Sequence, residues 1–86
     1  MDARVFDQES HWLDADGILH RIVDISDAHL KNTIDFLVMA PDLCLREYRH
    51  FADVPTGTEP QEWVESTVVM KALRAEAARR GIEVPS

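Results

Sequence analysis

Two periods of apolar spacing run through the chain, first a strand-like alternation and then helical stripes. From Ile18 to Val23 the side chains alternate, with Ile18, His20 and Ile22 on one side and Leu19, Arg21 and Val23 on the other. That period of two predicts a β-strand. His11-Trp12-Leu13-Asp14 forms a shorter strand before it, and Asp16-Gly17 between them is a turn signal, because glycine supplies positive φ without steric cost. The expected unit is an antiparallel hairpin whose register the sequence does not fix, Trp12 opposite Ile22 being one pairing it allows. Residues Met1 to Ser10 carry weak signals and read as a strand or a loose arm.

The period then lengthens. Leu30, Ile34, Leu37 and Val38 stand at i, i+4, i+7 and i+8, the spacing of one buried helical stripe. Ser26 supplies an N-cap oxygen ahead of it, Asp27 favours the positive end of the helix dipole, and Pro41 ends the helix. A second line on the same helix holds His29, Thr33 and Phe36. Leu43 to Phe51 fits two periods. Leu43, Leu45 and Tyr48 fit a short helix after Asp42, whereas the alternation from Cys44 to Phe51 fits a strand added to the hairpin, and the strand is the preferred reading. Ala52 to Pro60 is a loop punctuated by Pro55, Gly57 and Pro60.

The last segment has the strongest signals. Thr58 and Gln61 have capping-box spacing, Pro60 sits in the first turn, helix formers run from Gln61 to Arg80, and Gly81 and Pro85 close the element. The expected fold is therefore a single α+β domain over residues 1–86. A small N-terminal hairpin, or a three-stranded sheet, packs on two helices at about 26–40 and 59–80.

On a wheel of about 100° per residue, the last helix shows two apolar arcs. One holds Trp63, Met70, Leu73 and Ala77, and the other holds Val64, Val68, Ala72 and Ala75. One arc suffices for the domain's own core. Either the domain's own strands and loops cover both sides of the helix, or the second arc makes a further contact, and a symmetric homodimer through Val64, Val68, Ala72 and Ala75 is then the expected form. A dimer would also enlarge a core that short chains build with difficulty.

Charge and composition narrow the function. The chain carries −7 at neutral pH, and its first 35 residues hold eight acids against three bases, a net −5. Nucleic-acid and anionic-membrane ligands call for a basic footprint, so neither is expected. An acidic face made of Asp14, Asp16, Asp24, Asp27 and Asp35 suits a protein partner with a basic surface. The start, Met1 to Asp7, is acidic and lacks an apolar run. No stretch approaches the ~20 apolar residues of a membrane span. With Cys44 as the single cysteine, the expected setting is a reducing cytoplasm.

Catalytic signals are weak. His11, His20, His29 and His50 have no ligand spacing on a helix and none pairs with Cys44, so no metal or cofactor is expected. Asp14-Ala15-Asp16-Gly17 lacks the third acid and closing glutamate of a calcium loop. Cys44 lies between leucines, the setting of a structural thiol. Ser10, Ser26 and Ser66 lack the glycines of a nucleophile elbow. A small anionic, nucleotide-like ligand is the alternative, held by Arg46, Tyr48 and Arg49 with His29 and Asn32 at a dimer seam.

A Trp, a Gly a few residues later, an apolar strand and His-Leu-x-Asn-x-Ile-x-x-Leu on a helix are present as Trp12, Gly17, Ile22, Ile25, His29, Leu30, Asn32, Ile34 and Leu37. Glu76, Arg79, Arg80 and Gly81 close the last helix. In these residues the chain resembles a loose group of small phage- and prophage-encoded proteins; Met39 to Glu59 has no counterpart in it. The resemblance implies an accessory protein that antagonises host machinery, as anti-CRISPR proteins of similar size and charge do. The expected function is thus non-enzymatic: binding and inhibition of a host protein complex through the acidic surface.

Overall fold

A computed structural model describes residues 3–7, 9–13 and 16–85. In chain order they form a 3-10 turn (Ala3–Asp7), strands β1 (His11–Leu13) and β2 (Leu19–Arg21), and a second 3-10 turn (Ile22–Asp24). Four helices follow: α1 (Asp27–Met39), α2 (Pro41–Tyr48), α3 (Pro60–Ser66) and α4 (Val68–Arg80). This is a small α+β fold with one two-stranded antiparallel sheet among the described residues.

The hairpin turns at Gly17, whose φ is +79°. His11 pairs with Arg21, Trp12 with His20, and Leu13 with Leu19. Trp12 therefore faces His20 rather than Ile22. The strand is shorter than its alternation predicts because Ile22 leaves it for the 3-10 turn, where it is buried. Helix α1 starts as expected: the Ser26 hydroxyl accepts from the His29 amide at 3.1 Å. Leu30, Ile34 and Leu37 of the stripe are fully buried, and Val38 packs at the core's margin. Thr33 of the second line turns its hydroxyl back to the His29 carbonyl, 2.8 Å away.

Leu43 to Phe51 is not a third strand. Pro41 ends α1 and also begins α2, at a first-turn position where its missing N–H costs nothing. Ala40 serves both helices: its N–H donates to Phe36, and its carbonyl accepts from Cys44. Burial of Cys44 and Leu45, with Tyr48 one turn on, then follows the helical period.

The single C-terminal helix is two. Ser66-Thr67-Val68-Val69 is a run of poor helix formers, and both hydroxyls compete for backbone. Ser66 donates to the Trp63 carbonyl at 2.6 Å. Thr67 is extended (φ −68°, ψ 149°), donates to the Val64 carbonyl at 2.7 Å and accepts from the Met70 amide at 3.2 Å. It thus closes α3 and caps α4. The start differs as well: Glu59, not Thr58, is the N-cap, its carboxylate accepting from the Glu62 amide at 2.7 Å. Gly81 (φ +72°) ends α4, with the Ile82 amide reaching back to Ala77 in the manner of a Schellman motif.

The core lies between α1 and α4 and is closed at one end by the first 3-10 turn. Phe6 is fully buried there. Its ring meets Trp63 at 5.1 Å and Tyr48 at 6.2 Å, edge to face, and Tyr48 meets Trp63 at 5.2 Å. This cluster pins the N-terminal segment to α2 and α3. At the other end Arg80 acts as a clamp. Its guanidinium donates to the carbonyls of Ile25 (2.8 Å), Val23 (3.1 Å) and Ile22 (3.3 Å), and to the Asp27 carboxylate (2.9 Å). It therefore ties the end of α4 to the turn between hairpin and α1.

Candidate protein-binding surface

Pairing in the hairpin decides which residues face the solvent. Trp12 is buried and His20 is half-buried. The His20 ring meets that of His29 on α1, edge to face at 5.1 Å. The opposite face therefore carries His11, Leu13, Leu19 and Arg21. Leu19 is 60 % exposed, and Ile18, next to the turn, is 55 % exposed. Asp16 lies beside them at the tip and is exposed too. Two exposed aliphatic side chains and an exposed carboxylate thus lie within four positions of one another at the end of a short hairpin, a mix of contact types found in protein interfaces.

Three of the predicted acidic positions, Asp24, Asp27 and Asp35, have charged partners within the chain. Asp24 lies 3.7 Å from Arg21, Asp35 accepts from Lys31 at 3.0 Å, and Asp27 is held by Arg80. Asp14 lies outside the described residues. The acidic face is therefore a line of locally paired carboxylates rather than a bare anionic patch. Exposed pairs of this kind are worth little, so a basic partner is free to displace Lys31 or Arg21.

The residues expected to hold a nucleotide-like ligand are occupied in different places. Tyr48 donates to the Asp7 carboxylate at 3.1 Å, Arg49 donates to the Pro55 carbonyl at 3.0 Å, and His29 packs on His20. Arg46 and Asn32 are exposed. Arg49 and Tyr48 thereby brace the loop and the first 3-10 turn.

Of the expected dimer contacts, Val64 is fully buried in the domain's own core, because the break at Thr67 shifts the phase of α3 against α4. Val68 (44 % exposed), Ala72 (half-buried) and Ala75 (exposed) stay at the surface of α4. Ala72 and Ala75, with Val23 among others, line a groove of about 360 Å³ between α4 and the base of the hairpin.

Titratable groups show structural roles. Burial pushes the Cys44 thiol up to about 11, reinforced by Asp42 and Glu47. Such a thiol is inert at neutral pH. Hydrogen bonds from Arg79 and Arg80 hold the Glu76 carboxyl down at about 2. Among the described residues no group of three or more His, Cys, Asp or Glu is placed to hold a metal ion, and no helix is long and apolar enough to cross a membrane.

The exposure of both Ile18 and Leu19 is not evident from the sequence, since alternation assigns Ile18 to the same side as Ile22. Comparison with family models, with curated proteins and with solved structures finds no match for the chain.

Proposed function

We propose that the protein is a non-enzymatic accessory protein that binds another protein through the tip of its hairpin, with Asp16, Ile18 and Leu19 at the centre. The observation that carries this reading is the exposure of Ile18 and Leu19, more than half of each residue, at the end of a short hairpin. Burying them against a partner would contribute ~1 to 2 kcal/mol each, and Asp16 and the line Asp24, Asp27 and Asp35 would select a basic surface. The resemblance to small phage-encoded proteins supports a host complex in a bacterial cytoplasm as the partner, and inhibition as the outcome.

The test is comparative capture from bacterial lysate with quantitative mass spectrometry. Three baits are used: the unaltered chain, Ile18→Ser/Leu19→Ser, and Phe51→Ser as an apolar control elsewhere. A protein retained by the first and third baits and lost by the second supports the reading. Equal capture by all three refutes the tip as the contact.

A further inference from the structure

A second surface stands apart from the hairpin tip. Val68, Ala72, Ala75 and Arg79 repeat at i, i+4, i+7 and i+11 on α4, one straight face of the helix. The groove beside this face is walled by Glu9, Ser10 and Arg21 at the hairpin's base and by Glu76 and Arg79 on the helix. Its apolar lining is Ile22, Val23, Ala72 and Ala75. Val23 is 52 % exposed there. The two alanines leave room for another backbone to come close.

The charge of this surface identifies its occupant. The groove holds two acids, Glu9 and Glu76, and two bases, Arg21 and Arg79, so its net charge is zero. The chain as a whole carries −7. Two copies therefore repel over most of their surface and meet without net repulsion here. An isologous contact places one patch on itself, so the charges within it find partners only where both signs are present. An acidic or a basic partner would match only half of these charges. Arg21 and Arg79 are paired within the chain with Asp24 and Glu76, yet their side chains are about two-thirds exposed, at 66 % and 65 %, and able to reach across to Glu9 of a second copy as well.

We propose that this face of α4, with Val23 and the groove, is the contact surface of a symmetric homodimer in which α4 packs against α4 of the second copy. Helix α4 spans ~20 Å at 1.5 Å per residue, short for an interface that normally takes ~800 Å² from each partner. The dimer is accordingly weak and forms with rising concentration.

Sedimentation equilibrium from micromolar to millimolar protein tests this, with Ala75→Arg and Val68→Arg as interface variants and Met39→Arg as a control of equal charge. Met39 is 83 % exposed at the end of α1. The expected result is a mass rising from 9.8 kDa toward twice that value. Association should weaken by about tenfold or more in either interface variant, since a buried unpaired charge is strongly unfavourable, and persist in the control. Circular dichroism confirms that each variant is folded. A monomer at every concentration overturns the proposal. So does association that survives both interface variants, or that Met39→Arg abolishes equally. The Ile18→Ser/Leu19→Ser variant should dimerise normally, so the tip and the α4 face fail or hold independently.

Discussion

Replacement of Thr67 by alanine separates a continuous C-terminal helix from a broken one by the sign of its effect. In a continuous helix from Gln61 to Arg80, Thr67 would occupy an interior position. Alanine is the better helix former there by ~0.5 kcal/mol, so the variant would be more stable. The structure predicts the opposite. Thr67 is extended, its hydroxyl accepts from the Met70 amide at 3.2 Å, and the same hydroxyl donates to the Val64 carbonyl at 2.7 Å. Loss of an N-cap oxygen costs ~1 kcal/mol. The Val64 carbonyl keeps the Thr67 amide as a partner, so it is not orphaned. The side-chain methyl, in a residue only 8 % exposed, adds roughly 0.8 kcal/mol. The sum is ~2 kcal/mol of destabilisation, or a fall in Tm of roughly 10 °C for a domain of this size. Thermal unfolding followed by circular dichroism reads it directly. Thr67→Ser keeps the hydroxyl and should recover about half of the loss, whereas Thr67→Val keeps the shape and should not recover the cap. A Thr67→Ala protein as stable as the parent, or more so, would refute the break. It would also restore Val64 to the outer face of the helix.

Further outcomes follow from other contacts. The Glu76 carboxyl, held at about 2 against an ordinary 4.5, contributes stability above the higher value that is lost as pH falls toward the lower. Glu76→Gln should flatten the pH dependence of unfolding across that window, measured by denaturant titration. The raised Cys44 thiol has the reverse sign: its contribution is complete below 9.0 and disappears as pH rises toward about 11. A disulfide reagent at pH 8 should leave Cys44 unmodified in the folded chain and react on addition of denaturant. Gly81→Ala should lower stability by ~1 kcal/mol through its positive φ alone, because an added Cβ meets nothing within 4 Å. Gly81→Asn should cost less in the same melt. Phe6→Ala should cost ~3 to 5 kcal/mol and unfold the domain at ordinary temperatures, a loss read from the near-ultraviolet signal of Trp63.

Much of this architecture is legible in the sequence where local chemistry and burial agree. Ser26 caps α1 because a short polar side chain precedes an unambiguous stripe, and Gly17 and Gly81 take the positive φ that their neighbours demand. The misreadings share a cause. Pro41 and Thr67 each end one helix and begin another within a residue, and a period read across such a junction loses its phase. Strand alternation over Cys44 to Phe51 is an accident of a helix too short to show its own stripe. Phe6 has no local signal at all; its place is set by Tyr48 and Trp63, 42 and 57 positions later in the chain. The clamp of Arg80 on Ile22, Val23 and Ile25 is equally remote in sequence. The proposed dimer face shows the same limit. Val68, Ala72 and Ala75 were readable as a second arc, whereas the burial of Val64 depends on a break that only Ser66 and Thr67 announce.

Hydrogen exchange with the captured partner bound tests the central claim most directly. Protection that appears over Asp16 to Arg21 and leaves Lys71 to Arg80 unchanged is the result predicted for docking through the hairpin tip. Protection confined to α4, or no change at the tip with the partner at saturation, would contradict it.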